Sequence, residues 1–336
     1  MLISELDYEL PEALIAQRPA EPRDASRLMV VDVKRNTIAH HTFRDLPDFL
    51  RPGDALVLNE TKVIPARVRA RKPTGGEVEL LFLKSRGQDH GESWEVLARP
   101  SKRLRPGLVL SVGEEQLRLV KSLGDGHWAV SGIDVPCLLG RSGRMPLPPY
   151  IRPTPETEER YQTVFARNEG SAAAPTAGFH FTERVLRDVE RAGADIARIT
   201  LHVGVGTFMP VRAERLEKHT MHAEHYRVPQ AAAKVVKDAR RVVAVGTTVA
   251  RTLETWAATG ELEGESKLFV YPGYRWLAVD ALLTNFHLPR STLLAMVMSF
   301  GGEELVREAY GEAIRERYRF YSFGDAMLLL DGGRRR

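Results

Sequence analysis

The sequence predicts a mixed α/β (α+β) protein with a small antiparallel β-barrel or sandwich between residues 61 and 144. Three observations predict this. Beyond about residue 145, helix-period and strand-period patterns alternate along the chain. Between residues 61 and 144, short apolar-alternating runs recur roughly every ten residues between Gly, Pro and Asp clusters, the rhythm of a small barrel or sandwich. Charge divides in the same way: residues 61–144 hold 15 Lys+Arg against 9 Asp+Glu, and the remainder holds 33 against 35, so the whole excess behind the net charge of +4 lies in the inserted segment. The expected division is a discontinuous larger domain, 1–60 plus 145–336, around a basic barrel, 61–144. Pro146, Pro148, Pro149 and Pro153 stiffen the second boundary.

In chain order, residues 9–19 ("ELPEALIAQRP") read as a short amphipathic helix closed by Pro19. Residues 26–33 ("SRLMVVDV") are rich in branched apolar side chains and read as a strand, with a turn at 34–36. Residues 41–54 read as a short helix ending at Pro52-Gly53, and 55–71 as a buried strand that continues as an alternating one. "GEVELLFLK", "SWEVLAR" and "LVLSVG" supply barrel strands. After the proline-rich boundary, "TERVLRDVERAGA" is a helix capped by Thr182, and "ADIARITLHVGVG" leads into a strand. "AAAKVVKDARR" is a helix, "VVAVG" a strand and "TTVARTLETWAATG" a helix. "STLLAMVMSFGG" and "ELVREAYGEAIRERY" are an apolar and an amphipathic helix.

Composition excludes several classes of function. Cys137 is the single cysteine, so one chain can hold no disulfide framework, all-cysteine zinc site or iron–sulfur cluster. The apolar stretch 291–300 is far short of the ~20 residues that span a bilayer. The first ten residues carry Glu5, Asp7 and Glu9 and do not read as a signal peptide. A reducing cytoplasm is the expected setting.

Several segments have the makings of a site. "VAVGTTVARTLE" (243–254) is a strand–Gly–Thr-Thr–helix unit. Gly246 permits close backbone approach, Thr247 or Thr248 caps the helix, and the new helix's N–H groups suit an anion; a plain capped helix after a core strand fits equally. "TLHVGVGTFMPV" (200–211) places Gly204 and Gly206 at a strand end but misses the G-x-G-x-x-G pattern. "APTAGFHFT" (174–182) is a small-residue loop fit to lie against a flat ligand or to serve as a tight packing turn. His219, His222 and His225 recur every third residue in "HTMHAEHY". That spacing turns them apart on either a helix or a strand and disfavours a metal site. Asn285 and His287 follow an apolar strand in "LLTNFHLPRSTLL", where α/β folds place their sites, and Asp325 follows Gly324 in "FGDAML".

Together and in this order, these segments closely resemble the S-adenosylmethionine:tRNA ribosyltransferase-isomerase family of queuosine biosynthesis. The matching strings also include "DYELPEALIAQRP", "RDASRL", "LNETKVIPARV", "GRMPLPPYI", "RYQTVFA" and "YPGY", and they run from Asp7 to Leu328. Small departures are Glu60 where the family usually has Asp, Ala173 where Val is common, Ala250 before Arg251, and Phe323 where Tyr is usual. The resemblance implies a larger mixed-sheet domain with flanking helices and an inserted small antiparallel β-barrel, and a cytoplasmic transferase with S-adenosylmethionine as co-substrate and no metal. It would move and isomerise the ribosyl group onto the 7-aminomethyl-7-deazaguanine at the tRNA wobble position, giving epoxyqueuosine-tRNA, adenine and methionine. Its partner would be a tRNA anticodon stem-loop, with no membrane and no obligate protein partner.

Under that resemblance, residue types can be matched to steps. A sulfonium acidifies its C5′ protons and makes methionine a good leaving group. The enzyme must still supply a base, an acid for adenine and a neutral attacking amine, tasks that suit histidine near pH 7. The expected proton-transfer groups are His180, His202, His222 and His287, with Glu224 or Asp325 as partner. Gly246, Thr247, Thr248 and Arg251 are expected to hold the methionine carboxylate. Thr176, Gly178, Gly204, Gly206, Thr207 and Asn285 would hold the nucleoside. Lys62, Arg67, Arg69, Arg71, Lys72, Lys102, Arg103 and Arg105 would meet tRNA phosphates, and Tyr150, Tyr161 or Phe179 would stack on an anticodon base. The competing readings are a metal-dependent hydrolase using the His219–His225 cluster and a non-enzymatic RNA-binding β module.

Overall fold

The computed structural model describes residues 1–86, 93–204 and 213–334. The chain divides into two compact units. One is built from Met1–Thr61, Pro149–Asn168 and Ala174–Arg336, the other from Lys62–Pro148 and Glu169–Ala173. Residues 145–148 and 169–173 group with the inserted unit, not with the larger one as expected from sequence.

The chain enters the first unit through β1 (Arg27–Asp32), β2 (Thr37–Thr42) and β3 (Asp54–Asn59), followed by the short β4 (Thr61–Val63). The inserted unit comprises β5 (Arg67–Arg71), β6 (Glu77–Ser85), β7 (Ser93–Arg99), β8 (Val109–Val112), β9 (Glu115–Gly124) and β10 (His127–Ser131), then helix α1 (Val135–Ser142). The six strands close into an antiparallel barrel in the order β10-β7-β6-β5-β8-β9. Alternation drives this closure: on β5, Val68 and Ala70 are buried while Arg69 and Arg71 are exposed.

The chain returns through α2 (Pro155–Arg160), β11 (Asn168–Ser171), α3 (Glu183–Arg191) and β12 (Asp195–Leu201). It continues through β13 (Glu224–Arg227), α4 (Gln230–Asp238), β14 (Arg241–Val245), α5 (Thr247–Thr259) and β15 (Glu263–Ser266). It ends with β16 (Ala281–Asn285), α6 (Thr292–Gly301), α7 (Glu303–Arg315) and β17 (Ala326–Leu330). Nine strands form one mixed sheet in the order β15-β13-β12-β3-β14-β16-β17-β1-β2. Its centre, β12-β3-β14-β16, is four adjacent parallel strands. β3 is buried at all six positions and β16 at all five, as a sheet covered on both faces requires. One face packs Leu28, Leu56, Leu58, Val243, Val245 and Leu283 against Phe43, Phe181, Val185 and Val189. α4 and α5 pack on β3 and β12, and α5 also on β14.

Two expected helices are absent. In residues 9–19 only a 3-10 turn, Glu12–Leu14, forms. Seven residues between Pro11 and Pro19 are too few for a stable helix, and the backbone pairs instead with a distant segment: Ala16 N donates to Phe320 O and Phe320 N to Leu14 O. In residues 41–54, His41 belongs to β2 and a 3-10 helix covers Phe43–Phe49. Pro47 inside it removes an N–H and disfavours α geometry at Leu46. α1 and α2 were not expected, although Asp134 and Thr154 cap them through the Cys137 and Thr157 N–H groups.

Candidate active site

The carboxyl ends of the four central parallel strands gather residues that are far apart in sequence. β3 ends at Asn59, β12 leads into His202 and Gly204, β14 into Gly246–Thr248, and β16 ends at Asn285 just before His287. In open α/β sheets the crevice beyond these ends is where ligands bind. Asn59 ties three of the elements together. Its Nδ2 donates to Leu201 O (3.0 Å) and Thr248 Oγ1 (3.3 Å), and its Oδ1 accepts from the Leu201 and Thr61 N–H groups. Sequence reasoning missed it; the available signal was a lone Asn closing an apolar strand. Gly246 caps α5 at φ +90°, and a Cβ there would lie 3.4 Å from Ala177 Cβ. Neither Thr247 nor Thr248 caps α5 as expected; both belong to its first turn, and no side chain caps the helix.

Two clefts meet at this helix start, sharing Thr247, Thr248 and Leu293 in their walls. The first is lined by Tyr150, Pro175, Thr176, Gly246, Asn285 and His287, among others. Thr176 Oγ1 donates to Asn285 Oδ1 (2.8 Å), and Asn285 Nδ2 donates to His180 Nε2 (3.2 Å). His180 is fully enclosed behind Asn285, stacked on Phe43 and bonded through Nδ1 to Ser26 Oγ (2.8 Å). Burial, with the nearby charges of Arg319 and Arg23, pushes its imidazole down to about 3. His287 bonds through Nε2 to Thr284 Oγ1 (2.7 Å), and burial pushes it down to about 3 as well. Its backbone is clamped by two hydroxyls: Tyr8 donates to its carbonyl, and Tyr310 accepts from its N–H (2.9 Å). Tyr150 Oη bonds Ser322 Oγ, its ring 4.8 Å from that of Tyr321, and burial raises its hydroxyl to about 12.

The second cleft has apolar walls from Met221, Leu268, Val270 and Met296, with His219, His222, Glu224 and Arg251 around them. Arg251 and Glu224 form a buried ion pair, each 7% exposed in the side chain. The other guanidinium nitrogen, Nη2, donates to the carbonyls of His222 and Ser266 (both 2.8 Å), and Glu224 Oε1 accepts from Gly204 N (2.8 Å). The expected carboxylate-binding arginine is therefore already neutralised by Glu224, with Nε its one nitrogen lacking a hydrogen-bond partner. His219 packs edge-on against Phe269, and exposed His225 meets Glu263 at 3.4 Å. Among the described residues, no three His, Cys, Asp or Glu side chains group closely enough to hold a metal ion.

Other predicted residues lie elsewhere. His202 sits with Nδ1 on Thr61 Oγ1 (2.8 Å) and its ring stacked on His225, outside the lining of either cleft. Burial lowers its proton affinity, with the neighbouring His225 adding to the effect. Asp325 is buried and accepts from Arg27 N, Arg319 N and Arg319 Nη2, a scaffold for three backbone segments. Gly178 lies under packing, not ligand space: a Cβ would meet Phe165 Cζ at 2.7 Å and Thr163 Cγ2 at 2.8 Å. Tyr161 and Phe179 are buried and pack against Phe323, so neither presents a face for stacking. Gly206 and Thr207 lie outside the described residues.

On the barrel, Arg69, Arg71, Lys102, Arg103 and Arg105 are exposed, while Lys62, Arg67 and Lys72 are half-buried. Glutamates temper several of these charges. Lys62 pairs with Glu169 (2.8 Å) and Arg71 with Glu77 (3.6 Å), and Arg67 lies 3.7 Å from Glu79 while donating to Leu147 O.

Comparisons with known proteins agree with this architecture. The family model described as queuosine biosynthesis protein matches residues 3–329. The chain is 72% identical to the S-adenosylmethionine:tRNA ribosyltransferase-isomerase of Rubrobacter xylanophilus over 99% of both chains. It is 53% identical to the protein of the same name from Moorella thermoacetica, over 98% of this chain and all of that one. The crystal structure of S-adenosylmethionine tRNA ribosyltransferase from Thermotoga maritima matches 97% of this chain and all of that one, at 39% identity and a TM-score of 0.57. Sequence match and shared fold together place the chain in the queuosine biosynthesis protein family, among the S-adenosylmethionine:tRNA ribosyltransferase-isomerases, a family of transferases.

Proposed function

We propose that this chain transfers and isomerises the ribosyl group of S-adenosylmethionine onto the 7-aminomethyl-7-deazaguanine at the wobble position of tRNA. The products would be epoxyqueuosine-tRNA, adenine and methionine. The observation that carries the reading within this family is the pair of clefts meeting at the uncapped start of α5, at the carboxyl ends of four parallel strands. A two-part co-substrate fits a two-part cleft. The nucleoside lies in the first, against Thr176, Gly246, Thr247, Thr248 and Asn285. The methionyl chain lies in the second, along the apolar surface of Met221, Leu268, Val270 and Met296.

The sulfonium supplies the activation. It acidifies the C5′ protons and leaves as neutral methionine, and the chain's residues hold the parts and move protons. His222 and Glu224 in the second cleft are the nearest of the predicted proton-transfer groups to the methionyl chain. His287 is held neutral in the first cleft and serves as a hydrogen-bonding group. Arg251 acts through the wall it builds with Glu224, His222 and Ser266. The exposed barrel cations Arg69, Arg71, Lys102, Arg103 and Arg105 meet tRNA phosphates, and Tyr150 offers a ring for an unpaired base. The setting is a reducing cytoplasm, with no obligate protein partner.

The test is direct. Incubation with S-adenosylmethionine and precursor-bearing tRNA should release adenine and increase the tRNA mass. No adenine and an unchanged tRNA mass remove the reading.

A further inference from the structure

Within the string "RDASRL", the side chains of Arg23, Asp24 and Ser26 all reach one loop. Arg23 Nη1 donates to Gln162 O (2.7 Å) and to Phe179 O (3.4 Å), Nη2 donates to Arg160 O (2.9 Å), and the guanidinium lies 5.6 Å from the centre of the Phe179 ring. Asp24 Oδ2 accepts from Thr182 Oγ1 (3.0 Å). Ser26 Oγ meets His180 Nδ1 (2.8 Å). Three near-consecutive residues therefore grip Phe179, His180 and Thr182, the downstream half of the loop whose upstream half lines the first cleft at Ala174, Pro175, Thr176 and Ala177.

From His180 the contact continues into the cleft wall. The Asn285 amide donates from Nδ2 to His180 Nε2, so Nε2 carries no proton and Nδ1 donates to Ser26 Oγ. Asn285 Oδ1 accepts the Thr176 hydroxyl proton, which leaves Thr176 Oγ1 with lone pairs alone for anything in the cleft. The chain has one alternative state. An Nε2–H tautomer of His180 would turn the Asn285 amide over, make Thr176 accept from Asn285, and free the Thr176 proton to point at the ligand.

We propose that Ser26 and His180 are positioning residues: the relay Ser26–His180–Asn285–Thr176 fixes the amide of Asn285 and makes Thr176 an acceptor-only group that recognises a hydroxyl or amino donor on the nucleoside part of the co-substrate. This rests on the placement of S-adenosylmethionine in the first cleft. Ser26 and His180 are 2% and 3% exposed and stand behind Asn285 in the contact chain, so they act on the ligand only through Asn285 and Thr176.

The test uses the full-length protein and three measurements. Imidazole ¹⁵N spectra of the wild type should show His180 as the neutral Nδ1–H tautomer from pH 5.5 to pH 8; an Nε2–H tautomer or a cationic ring overturns the relay. Ser26→Ala removes the acceptor for Nδ1–H. It should weaken S-adenosylmethionine binding in calorimetric titration about tenfold, the scale of one mispaired buried hydrogen bond. KM for S-adenosylmethionine should rise equally while kcat stays within about twofold. Ser26→Thr keeps the hydroxyl and should restore both. Unchanged affinity in Ser26→Ala, or no rescue by Ser26→Thr, overturns the proposal. Should Ser26→Ala fail to fold, the wild-type tautomer and the Ser26→Thr affinity still decide it. The spectra and the calorimetry need no tRNA, so a wild-type enzyme that binds S-adenosylmethionine but releases no adenine sinks the proposed reaction and leaves the relay standing.

Discussion

The Arg251–Glu224 pair gives the sharpest test of how the second cleft works. Both side chains are almost fully buried, with three charge-assisted bonds made by the guanidinium and one backbone N–H received by the carboxylate. Arg251→Met removes the carboxylate's cationic partner, and Glu224→Leu strands a guanidinium with two carbonyls. Each single change should cost ~3–5 kcal/mol, the usual penalty for breaking a buried pair. The double variant Arg251→Met/Glu224→Leu removes both charges and fills similar volume, so it should lose far less than the sum, with a coupling of about 2 kcal/mol or more. Urea unfolding with an unchanged m-value measures all three, and calorimetric titration gives S-adenosylmethionine affinity for each. If the pair only builds the wall, the double variant recovers affinity together with stability. A double variant that costs the sum of the singles refutes the pairing argument. One that is stable yet binds S-adenosylmethionine more than about tenfold worse returns the carboxylate-binding role to Arg251.

Two further outcomes follow from burial and charge. His180 and His287 have folded proton affinities pushed down to about 3, so between there and the ordinary value of 6.5 the unfolded chain binds protons that the folded chain does not. Stability should therefore fall as pH falls through that window, by ~2 kcal/mol for each histidine at pH 5 relative to pH 7. Urea midpoints at the two pH values measure this, and a combined loss under about 1 kcal/mol contradicts the burial of these rings. On the barrel, Arg103→Glu/Arg105→Glu should raise KM for tRNA about tenfold or more and flatten its salt dependence, with KM for S-adenosylmethionine unchanged. Equal tRNA affinity in wild type and variant would remove Arg103 and Arg105 from the interface.

Fold class, the inserted barrel and the order of most strands and helices were legible because each rests on local periodicity. Thr182 caps its helix through Val185 N as read from sequence. The failures share a cause. Residues 9–19 have helical spacing, but their backbone groups find partners at Phe320, some 300 residues away, which no local pattern reports. Residues 41–54 lose their helix to Pro47 and to pairing of β2 with β1. At the candidate site, strand ends brought several of the expected residues around the two clefts. Polarity alone did not separate a side chain that faces ligand from one that holds another in place. Gly178 reads as a ligand-contact glycine and is a packing glycine, and Asp325 reads as a titrating acid and is a backbone clamp. Asn59, with its four hydrogen bonds between β3, β12 and α5, passed unnoticed because nothing nearby in sequence needs it.

Burial also narrows the chemistry. A base works best when its proton affinity lies near the working pH, and two of the predicted proton-transfer histidines lie more than three units below it. Asp325 has its oxygens committed to three N–H donors, and His202 lies outside the lining of both clefts. Of the six expected catalytic groups, His222, Glu224 and His287 line a cleft, and burial holds His287 neutral. His222 and Glu224 do so beside the Thr247–Thr248 turn where the two clefts meet. A co-substrate bridging the clefts puts its sulfonium, and hence its most acidic C–H bonds, near that junction. Glu224 is already held by Arg251 and Gly204 N, so removing its charge unbalances a wall to which His222 contributes its carbonyl. Loss of adenine release in His222→Gln with urea stability intact marks proton transfer at the ring. Loss of both together marks the wall.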